Sequence, residues 1–372
     1  MDNFEDIGIR KKLVQGLNDL NITKPSEIQK HVIPLLVQSN TDLVAQAQTG
    51  TGKTAAFGLP LLQKIEANTK QVQGLILCPT RELGQQVAKQ LFKFTKYTEK
   101  IFVEAVYGGE KIDIQIGRLR RPTHIIVATP GRLIDLLKRK AVDLSYVKTV
   151  VLDEADEMLS MGFKIQLNKI LDSLPNVQNK WLFSATIPEG IAQIVNKHMS
   201  KDAVRINTSR KVVNKNITHQ FLICDEMDKV NILHQFLKSQ KQNRGMIFCK
   251  TKSATQELVK QLKAKNVPAD AIHGDLLQKE RDEVMRAFKN ESLRILIATD
   301  IAARGIDVEA LTYVVHFQLP DKDEYYTHRS GRTARAGREG LSLSLVTSAE
   351  LKSIRFFEKK LGIAFKQVRQ VK

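Results

Sequence analysis

The chain has 372 residues, in which 58 Lys and Arg outnumber 40 Asp and Glu, giving a formal net charge of +18. This length exceeds what one ordinary hydrophobic core serves and predicts about two domains. The charge favours a polyanionic partner, with a basic but merely solvated surface as the alternative. Because no apolar run approaches the length of a membrane span and the acidic start MDNFEDIG is unlike a signal peptide, the sequence predicts a soluble, cytoplasmic protein without a membrane partner.

The cysteines do not indicate a metal site or a disulfide framework. Cys78, Cys224 and Cys249 lack the C-x-x-C spacing of either kind of site. Cys78 and Cys249 lie in apolar, strand-like runs, where a thiol acts as a small hydrophobic group. We therefore expect these two side chains to be buried and inert.

Short apolar runs alternate with helical patterns along the chain, which is typical of parallel α/β sheets. The runs predict one series of strands at 43–45, 75–78, 101–107, 125–128, 150–152 and 181–183, and a second at 220–223, 246–249, 269–272, 295–298, 314–317 and 342–346. A polar, basic stretch without periodicity predicts a linker at 208–214 between domains at 1–207 and 215–372. No specificity module is expected after residue 338, and the segment 351–372 predicts one final amphipathic, basic helix and an end.

Polar or Gly/Pro clusters follow most of these strands. They are Pro79 to Glu82, Gly108-Gly109, Thr129 to Arg132, Asp153 to Asp156, Ser184 to Thr186, Thr251, His273 to Asp275 and Thr299-Asp300. A single cluster of this kind would be ordinary turn chemistry. Because ligands of open α/β sheets bind at the carboxyl ends of strands, eight such clusters over two sheets predict two active edges.

A phosphate-binding loop is indicated by AQTGTGKT at 47–54, which lies between a strand and a helical pattern. Gly50 and Gly52 let backbone N–H groups surround phosphate oxygens, Lys53 supplies positive charge, and the Thr54 hydroxyl can hold Mg²⁺. Ala47 replaces the first glycine of the strict pattern, so the strand and helix on either side carry the interpretation.

The acidic cluster of Asp153 to Asp156 complements this loop. It follows the apolar run at 150–152 about a hundred residues after the glycines. Carboxylates at the end of a second strand supply the groups that a metal ion and an attacking water need in phosphoryl transfer. Together the two motifs predict binding and hydrolysis of a nucleoside triphosphate.

In this order the clusters resemble the DEAD-box ATP-dependent RNA helicases, in a minimal two-domain form of bacterial type. The match spans nearly the whole chain, from Phe4 to the neighbourhood of Arg338. The resemblance implies an α/β fold of two tandem RecA-like domains, each a mostly parallel sheet flanked by helices. It also implies that ATP, Mg²⁺ and RNA bind across the domain interface. We expect a monomer, a state that the sequence itself leaves open.

The resemblance assigns roles to individual residues of the nucleotide site. Cofactor-binding residues would be Phe4, Gln29, Ala47, Gln48, Thr49, Gly50, Thr51, Gly52, Lys53, Thr54 and Asp307, the last of which would bind the ribose. Catalytic residues would be Lys53, Asp153, Glu154, His328, Arg332 and Arg335. Asp153 would hold Mg²⁺ through water and Glu154 the attacking water, while His328 would lie at the domain interface. Arg332 and Arg335 would act as arginine fingers, a role that suits the fork of a guanidinium.

The family's adenine-reading element is matched by Pro25, Ile28 and Gln29. The amide of Gln29 offers one donor and one acceptor, which pair with adenine and mismatch guanine. Asn21 stands where the family usually has glycine. Among residues other than glycine, asparagine tolerates the left-handed conformation best. The chain also departs from the family at Ser26-Glu27, where Thr-Pro is usual, and at Gly84, where alanine is common.

For RNA, the resemblance assigns residues from both predicted domains. They are Arg81, Gly109, Thr129 and Arg132 in the first, and Thr251, Gly274, Gln278, Arg281 and Thr299 in the second. Arginines, hydroxyls and close-approaching glycines read the nucleic-acid backbone, so binding should be independent of sequence. Ser184 and Thr186 would couple hydrolysis to RNA binding by touching the loop at 153–156. The single tryptophan, Trp181, lies in an apolar strand and is predicted to be core.

Three functions use these residues. The leading hypothesis is an RNA-dependent ATPase that opens short RNA duplexes by domain closure. The second is an ATP-gated RNA clamp or remodeller whose output is binding. A DNA helicase or translocase is disfavoured because the Asp153 to Asp156 cluster and the Gln29 element occur together.

Overall fold

A computed structural model describes residues 3–48, 50–208, 216–303, 311–334 and 338–369. The chain divides into two compact units, Met1–Arg210 and Lys211–Lys372. None of the helices in these described ranges is long and apolar enough to cross a membrane. Each unit is built on its own parallel sheet of seven strands.

The first sheet consists of short strands that are mostly buried on both faces. Its strands are β1 Leu43–Gln46, β2 Gly74–Leu77, β3 Val103–Val106, β4 Ile125–Ala128, β5 Thr149–Asp153, β6 Asn179–Ser184 and β7 Val204–Asn207. They are ordered β3-β4-β2-β5-β6-β1-β7. The continuous apolar sequence of a strand such as β4, which is fully buried, is what a sheet covered on both faces requires.

Nine helices cover this sheet in the described part of the first unit. They are α1 Lys11–Asn18, α2 Glu27–Gln38, α3 Lys53–Lys64, α4 Arg81–Phe94, α5 Ile112–Leu119, α6 Pro130–Lys138, α7 Ala155–Ser160, α8 Lys164–Asp172 and α9 Glu189–His198. The helices α1 to α4 share one hydrophobic core with one face of the sheet. The helices α5 to α9 pack on the opposite face.

The second sheet repeats this architecture. Its strands are β8 Ile217–Ile223, β9 Gly245–Phe248, β10 Ala269–Ile272, β11 Ile295–Ala298, β12 Tyr313–His316, β13 Gly340–Val346 and β14 Phe365–Gln367. They are ordered β10-β11-β9-β12-β13-β8-β14. The order places β10 at one edge of the sheet and β14 at the other.

The helices of the second unit also divide between two faces. They are α10 Lys229–Gln240, α11 Lys252–Ala264, α12 Gln278–Lys289, α13 Asp300–Ala303, α14 Asp323–Ser330 and α15 Leu351–Leu361, with 3₁₀ turns at Glu226–Asp228 and Ser348–Glu350. The core under α10 and α11 takes one set of alternating strand residues. The cores under α12 to α15 take the other set.

All twelve predicted strands are present, β4, β10 and β11 with the predicted ends and the others with shifted ends, and two strands were missed. The strand β7 carries Arg205 and Asn207 and alternates between half-buried and exposed positions, so it has no apolar run to reveal it. The strand β14 has only three residues, two of them exposed. The prediction of a helix followed only by an end is therefore wrong, because after α15 the chain returns to pair with β8.

Candidate active site

The loop after β1 has the backbone geometry of a phosphate site. Gly50 and Gly52 adopt positive φ angles of 81° and 90°, a conformation that favours glycine. Gly52 caps the start of α3, so the N–H groups of the first helical turn are directed into the loop. The loop is held to β6 because the Ala47 N–H donates to the Ser184 carbonyl at 2.9 Å.

Gln29 of the adenine-reading element and its neighbour Ser26 both hydrogen-bond to this loop. Ser26 Oγ donates to the Thr51 carbonyl at 2.7 Å, and Gln29 Nε2 donates to the Gly52 carbonyl at 3.0 Å. Gln29 Oε1 also accepts from the Ser26 N–H at 2.8 Å, which completes the cap of α2. One hydrogen and one lone pair of the Gln29 amide are thus used, and one of each is left for a ligand.

The remaining loop residues lie as follows. Thr51 Oγ1 donates to the Gln48 carbonyl at 2.8 Å, which tightens the turn. Thr54 is half-buried in the first turn of α3, and Thr49 lies outside the described residues. Phe4 is fully buried in the core that α2 and α3 share, so in this structure its ring offers no surface to a nucleotide.

Lys53 and Asp153 form the charged centre of the site. Lys53 is buried, and its Nζ donates to the Ala47 carbonyl at 3.2 Å. Burial raises the pKa of Asp153 to about 7, and the positive charge of Lys53 opposes that rise. Among the described residues, Asp153 Oδ1 is buried without a hydrogen-bond partner. An orphaned carboxylate oxygen beside a phosphate loop suits a hydrated Mg²⁺, whose preferred ligands are oxygens.

Glu154 adopts a strained conformation at the point where β5 becomes α7. Its φ of 52° is in the left-handed region, which costs a residue with a side chain about 1 kcal/mol or more. The turn directs the chain away from the sheet directly after Asp153. Such strain is found where a site dictates the direction of a side chain.

Asp156 joins the acidic loop to the residues after β6. Its Oδ2 accepts from both the N–H and the Oγ1 of Thr186 at 2.9 Å. The Asp156 N–H in turn donates to Ser184 Oγ at 3.1 Å. The predicted contact of Ser184 and Thr186 with the acidic loop is therefore present, and Asp156 is the residue that makes it.

The RNA-assigned arginines of the first unit are positioned by two residues outside the predicted site, Tyr107 and Glu110. The Arg81 guanidinium lies 4.7 Å from the ring centroid of Tyr107. Arg132 Nη2 donates to the Glu110 carbonyl at 2.9 Å. Its Nη1 is buried and has no hydrogen-bond acceptor within the described parts of the chain, so one donor of the guanidinium remains unsatisfied.

Glu110 is the centre of that network. Its carboxylate receives two hydrogen bonds from Arg118, at 2.9 and 2.7 Å, and one from Gln115 at 2.8 Å. Glu110 directly follows Gly109, whose φ of 85° requires glycine. In the sequence, the signal that points to Glu110 is its position directly after Gly108 and Gly109. Thr129 lies at the end of β4 and caps α6.

In the second unit, the RNA-assigned residues lie at helix starts beyond β9, β10 and β11. Thr251 caps α11, its Oγ1 accepting from the Ala254 N–H at 3.1 Å. Thr299 Oγ1 accepts from the Ala302 N–H at 3.4 Å, and Arg281 Nη2 donates to the Ala302 carbonyl at 2.9 Å. Gln278 begins α12, and Gly274 follows β10. The sheet order thus gathers these residues at one end of neighbouring strands.

The arginines of HRSGRTAR at 328–335 divide by environment. Arg329 is buried, and its Nε and Nη2 donate to the two carboxylate oxygens of Asp300 at 2.6 and 2.8 Å. Its Nη1 donates to the Gln318 carbonyl at 2.7 Å, so its hydrogen bonds go to the fold. His328 and Arg332 are half-buried. Arg335 and Asp307 lie outside the described residues.

The departures from the family pattern have local explanations. Asn21 has a φ of 57°, so the predicted left-handed conformation is confirmed. A Cβ at Gly84 would lie 3.1 Å from Cys78 Sγ, so glycine makes room for that buried sulfur.

Trp181 and Cys249 are buried in their cores, as predicted.

A phosphate loop and an acidic strand end on one parallel sheet define a P-loop nucleotide hydrolase. Residues 26–194 match the DEAD/DEAH box helicase family, and residues 228–337 match the helicase conserved C-terminal domain. The chain is 41% identical over 357 residues to the DEAD-box ATP-dependent RNA helicase CshA of Bacillus cereus. The aligned region covers 95% of this chain and 68% of the relative.

Solved structures agree with this assignment. S. cerevisiae Dbp5 bound to RNA and ADP BeF3 has a TM-score of 0.91 at 31% identity, over 99% of this chain and 96% of that one. A DEAD box protein from the hyperthermophile Methanococcus jannaschii has a TM-score of 0.58 at 38% identity, over 99% of both chains. The chain therefore belongs to the DEAD-box ATP-dependent RNA helicases. The predicted fold class, two tandem RecA-like α/β domains, is confirmed.

Proposed function

We propose that this chain is an RNA-dependent ATPase that locally opens short RNA duplexes or remodels RNA–protein complexes, driven by closure of its two domains around ATP. Closure would form one continuous RNA groove that fits a bent single strand and excludes a duplex. ATP binding then separates the strands, and hydrolysis resets the groove. Energetically this is a population shift, since ATP and RNA bind the closed state more tightly than the open one.

The observation that carries this proposal is the link from Asp156 to Ser184 and Thr186. Asp156 is two residues from Glu154 and three from Asp153. A shift of the acidic loop on nucleotide binding would therefore displace Ser184 and Thr186, to which Asp156 is hydrogen-bonded. The three hydrogen bonds of the link are buried or half-buried, and losing one would cost about 1–3 kcal/mol. A link of this strength supports coupling between the nucleotide site and the rest of the domain.

In the proposed chemistry, Lys53 neutralises the outer phosphates and Glu154 accepts a proton from the attacking water. Asp153 would hold Mg²⁺, which neutralises charge on the phosphate oxygens when bound. Its raised pKa is consistent with a buried carboxylate that gains most from a nearby cation. Gln29 would select adenine with the donor and acceptor that its contacts to the loop leave over.

The second domain would supply the remaining positive charge. Arg332 and Arg335 would stabilise the charge that develops on the transferred phosphoryl group, a role typically worth about 10³–10⁵ in rate. His328 would lie at the domain interface, and Asp307 would bind the ribose. These roles require both domains, so hydrolysis should depend on whatever favours closure, RNA included.

RNA would be held through its backbone by the residues assigned from both domains. The buried Nη1 of Arg132, which lacks an acceptor among the residues that the structure describes, supports a phosphate contact, because such a donor gains from an anionic acceptor. Contacts to 2′-hydroxyls would make RNA a better activator than DNA. We further propose a monomeric, cytoplasmic enzyme.

A second candidate function is an ATP-gated RNA clamp, in which the same closure produces long residence on RNA and strand separation is incidental. Strand separation and residence time measured under the same conditions distinguish the two functions. An enzyme that opens duplexes separates short strands at the rate at which it hydrolyses ATP. A clamp instead stays bound over many such intervals without separating them.

The test of the proposal is Glu154→Gln, which nearly preserves shape but removes the base. We expect RNA-stimulated turnover to be lost while an ATP-dependent RNA complex accumulates, measured by ATPase and RNA-binding assays. Glu189→Gln, at an exposed position on α9, is the matched control and should retain turnover. ATP hydrolysis by Glu154→Gln at the rate of the unmutated protein would contradict the assignment.

A further inference from the structure

The helix α15 has two sharply different faces. Ile354 and Phe357 are buried, whereas Lys352, Arg355, Phe356, Lys359 and Lys360 are all exposed. The exposed residues recur at spacings of three and four, so they form one continuous stripe along the helix. We call this stripe the basic face of α15.

The buried side of α15 fixes the helix firmly to the sheet. Ile354 and Phe357 belong to a core with Phe221 of β8 and Tyr326 of α14. The rings of Phe357 and Tyr326 are stacked, with centroids 5.2 Å apart. Gly362 ends the helix in the left-handed conformation, with a φ of 67°. The basic face is therefore a rigid surface and not a solvated tail.

The charge of the basic face is largely uncompensated. Glu358 is the one acidic residue of the helix, and its Oε1 accepts from the Phe365 N–H at 3.0 Å. Its nearest approach to Arg355 is 3.9 Å, with the Arg355 side chain 83% exposed, so this pair contributes little. Among the described residues, Lys352, Lys359 and Lys360 form no ion pair.

An aromatic ring lies in the middle of this charge. Phe356 is 53% exposed, although its neighbour Phe357 shows that the helix has buried space for a phenyl ring. Its positions relative to Lys352, Lys359 and Lys360 place cations one turn to either side. Cations that flank an exposed aromatic ring match single-stranded nucleic acid, since phosphates meet the charges and a base can stack on the ring.

The basic face lies apart from the RNA-assigned residues of the second unit. The helices α12 and α15 pack on the same face of the sheet. However, α12 covers the strands toward β10, whereas α15 covers β8 at the other side. Four strand steps separate β11 from β8, which is about 20 Å at the usual strand spacing. A short oligonucleotide bound only at the RNA-assigned residues would therefore not reach the basic face of α15.

We propose that the basic face of α15 is an auxiliary, sequence-independent binding surface for single-stranded RNA that extends beyond the helicase groove. The proposal rests on the function proposed above, since it supposes that RNA occupies that groove. The auxiliary surface would lengthen residence on long RNAs. It would leave the hydrolytic step itself unchanged, because α15 contributes no residue to the nucleotide site.

The test compares RNA lengths. Oligouridines of about 10 nucleotides, the order of one binding site, and of about 40 nucleotides are bound by the full chain with a non-hydrolysable ATP analogue. One variant combines Lys352→Gln, Arg355→Gln and Lys359→Gln. Its control combines Lys238→Gln, Lys260→Gln and Lys263→Gln, which removes the same charge from α10 and α11 on the opposite face of the sheet. Phe356→Ala and Tyr146→Ala, both at exposed aromatic positions, form the second pair.

We expect the α15 triple variant to bind the long RNA about 10-fold more weakly, with the log–log salt slope reduced by about 2 for three lost phosphate contacts. Binding of the short RNA should stay within about twofold. Phe356→Ala should weaken long-RNA binding by about 5-fold or more without changing the salt slope. The thermal midpoints should be unchanged, because all four side chains are exposed.

Three results would overturn the proposal. Equal losses in the two triple variants would reduce the effect to net charge. A loss that is the same for both RNA lengths would place the effect in the groove. Vesicles of anionic lipid that bind through these residues while RNA binding stays intact would identify a membrane surface instead. If the unmutated chain failed to bind even the short RNA, the proposed function itself would fail, which is a separate outcome.

Discussion

The side-chain amide of Gln29 donates a hydrogen bond to the carbonyl of Gly52 at 3.0 Å, so a residue of α2 holds the glycine that caps α3. The same amide accepts from the Ser26 N–H. The proposed adenine reader and the phosphate loop are therefore held together by direct hydrogen bonds. A substitution in either should alter the geometry of the other.

Gln29→Ala should weaken ATP binding and also lower the thermal midpoint. The variant removes two hydrogen bonds from a buried site, and each buried partner left unsatisfied costs about 1–3 kcal/mol. Gln29→Glu is the control, because it keeps the acceptor for the Ser26 N–H but loses the donor to Gly52. ATP affinity, the ratio of ATPase to GTPase activity, and thermal midpoint are measured together. Equal use of ATP and GTP by the unmutated chain would rule out adenine selection by Gln29.

Gly52→Ala should destabilise the first domain more than Gly50→Ala. Both glycines have positive φ angles, so alanine at either position carries the left-handed penalty of about 1–2 kcal/mol. A Cβ at Gly52 would also collide with Gln29 Nε2, whereas a Cβ at Gly50 meets open space. The free energies of unfolding of the two variants give the difference. Equal values would show that the contact with Gln29 is easily displaced.

Substitution of Arg329 should mainly lower the free energy of unfolding, whereas substitution of Arg332 should mainly lower the rate of ATP hydrolysis. Arg329→Met leaves Asp300 without its buried partner, which should cost about 3 kcal/mol of unfolding free energy. Arg332→Ala should cost less unfolding free energy than Arg329→Met and lower RNA-stimulated kcat by about 10³-fold. Denaturant unfolding and ATPase assays on both variants check the division. An Arg332→Ala enzyme with normal kcat would remove its role as an arginine finger.

The second domain should lose stability between about pH 6.5 and pH 4. Burial lowers the pKa of His219 to about 4, against about 6.5 in an unfolded chain. Because the unfolded state takes up the proton first as the pH falls, the neutral native ring contributes stability that disappears across this window. At pH 5 the loss from this residue is about 2 kcal/mol relative to neutral pH.

The control for that prediction is His219→Asn, whose amide can still meet Tyr326, the present partner of His219 Nδ1 at 2.7 Å. Unfolding free energies at about pH 7.5 and pH 5 are compared for both proteins. The variant should show a smaller difference between the two pH values. His316, whose pKa burial also lowers, retains its own contribution in both. An identical pH dependence would show that His219 does not titrate on unfolding.

The sequence was most informative where chemistry and periodicity coincide. The run at 125–128 is entirely apolar and buried, and it became β4 with unchanged ends. Gly50 and Gly52 were recognisable because few residues other than glycine tolerate their backbone angles. The edge strands β7 and β14 were missed because β7 alternates between half-buried and exposed residues and two of the three residues of β14 are exposed, so their sequences lack an apolar run.

Contacts between distant residues were the part that sequence could not provide. Nothing in the acidic cluster distinguishes Asp156 as the acceptor for Thr186, since that depends on the register of β5 beside β6. Arg329 resembles Arg332 in the sequence, and only the position of Asp300 makes it a buried partner. Glu110 likewise gains its role from Arg118 and Arg132, which the fold brings to it.

The central claim is that RNA drives ATP hydrolysis by this chain. The most direct measurement is the steady-state ATPase rate of the full chain without nucleic acid, with a single-stranded RNA, and with DNA of the same sequence. The account predicts a rate with RNA about tenfold or more above the other two, because the proposed backbone contacts would include 2′-hydroxyls and RNA would favour the proposed closed state. Equal stimulation by RNA and DNA, or none by RNA, would contradict it.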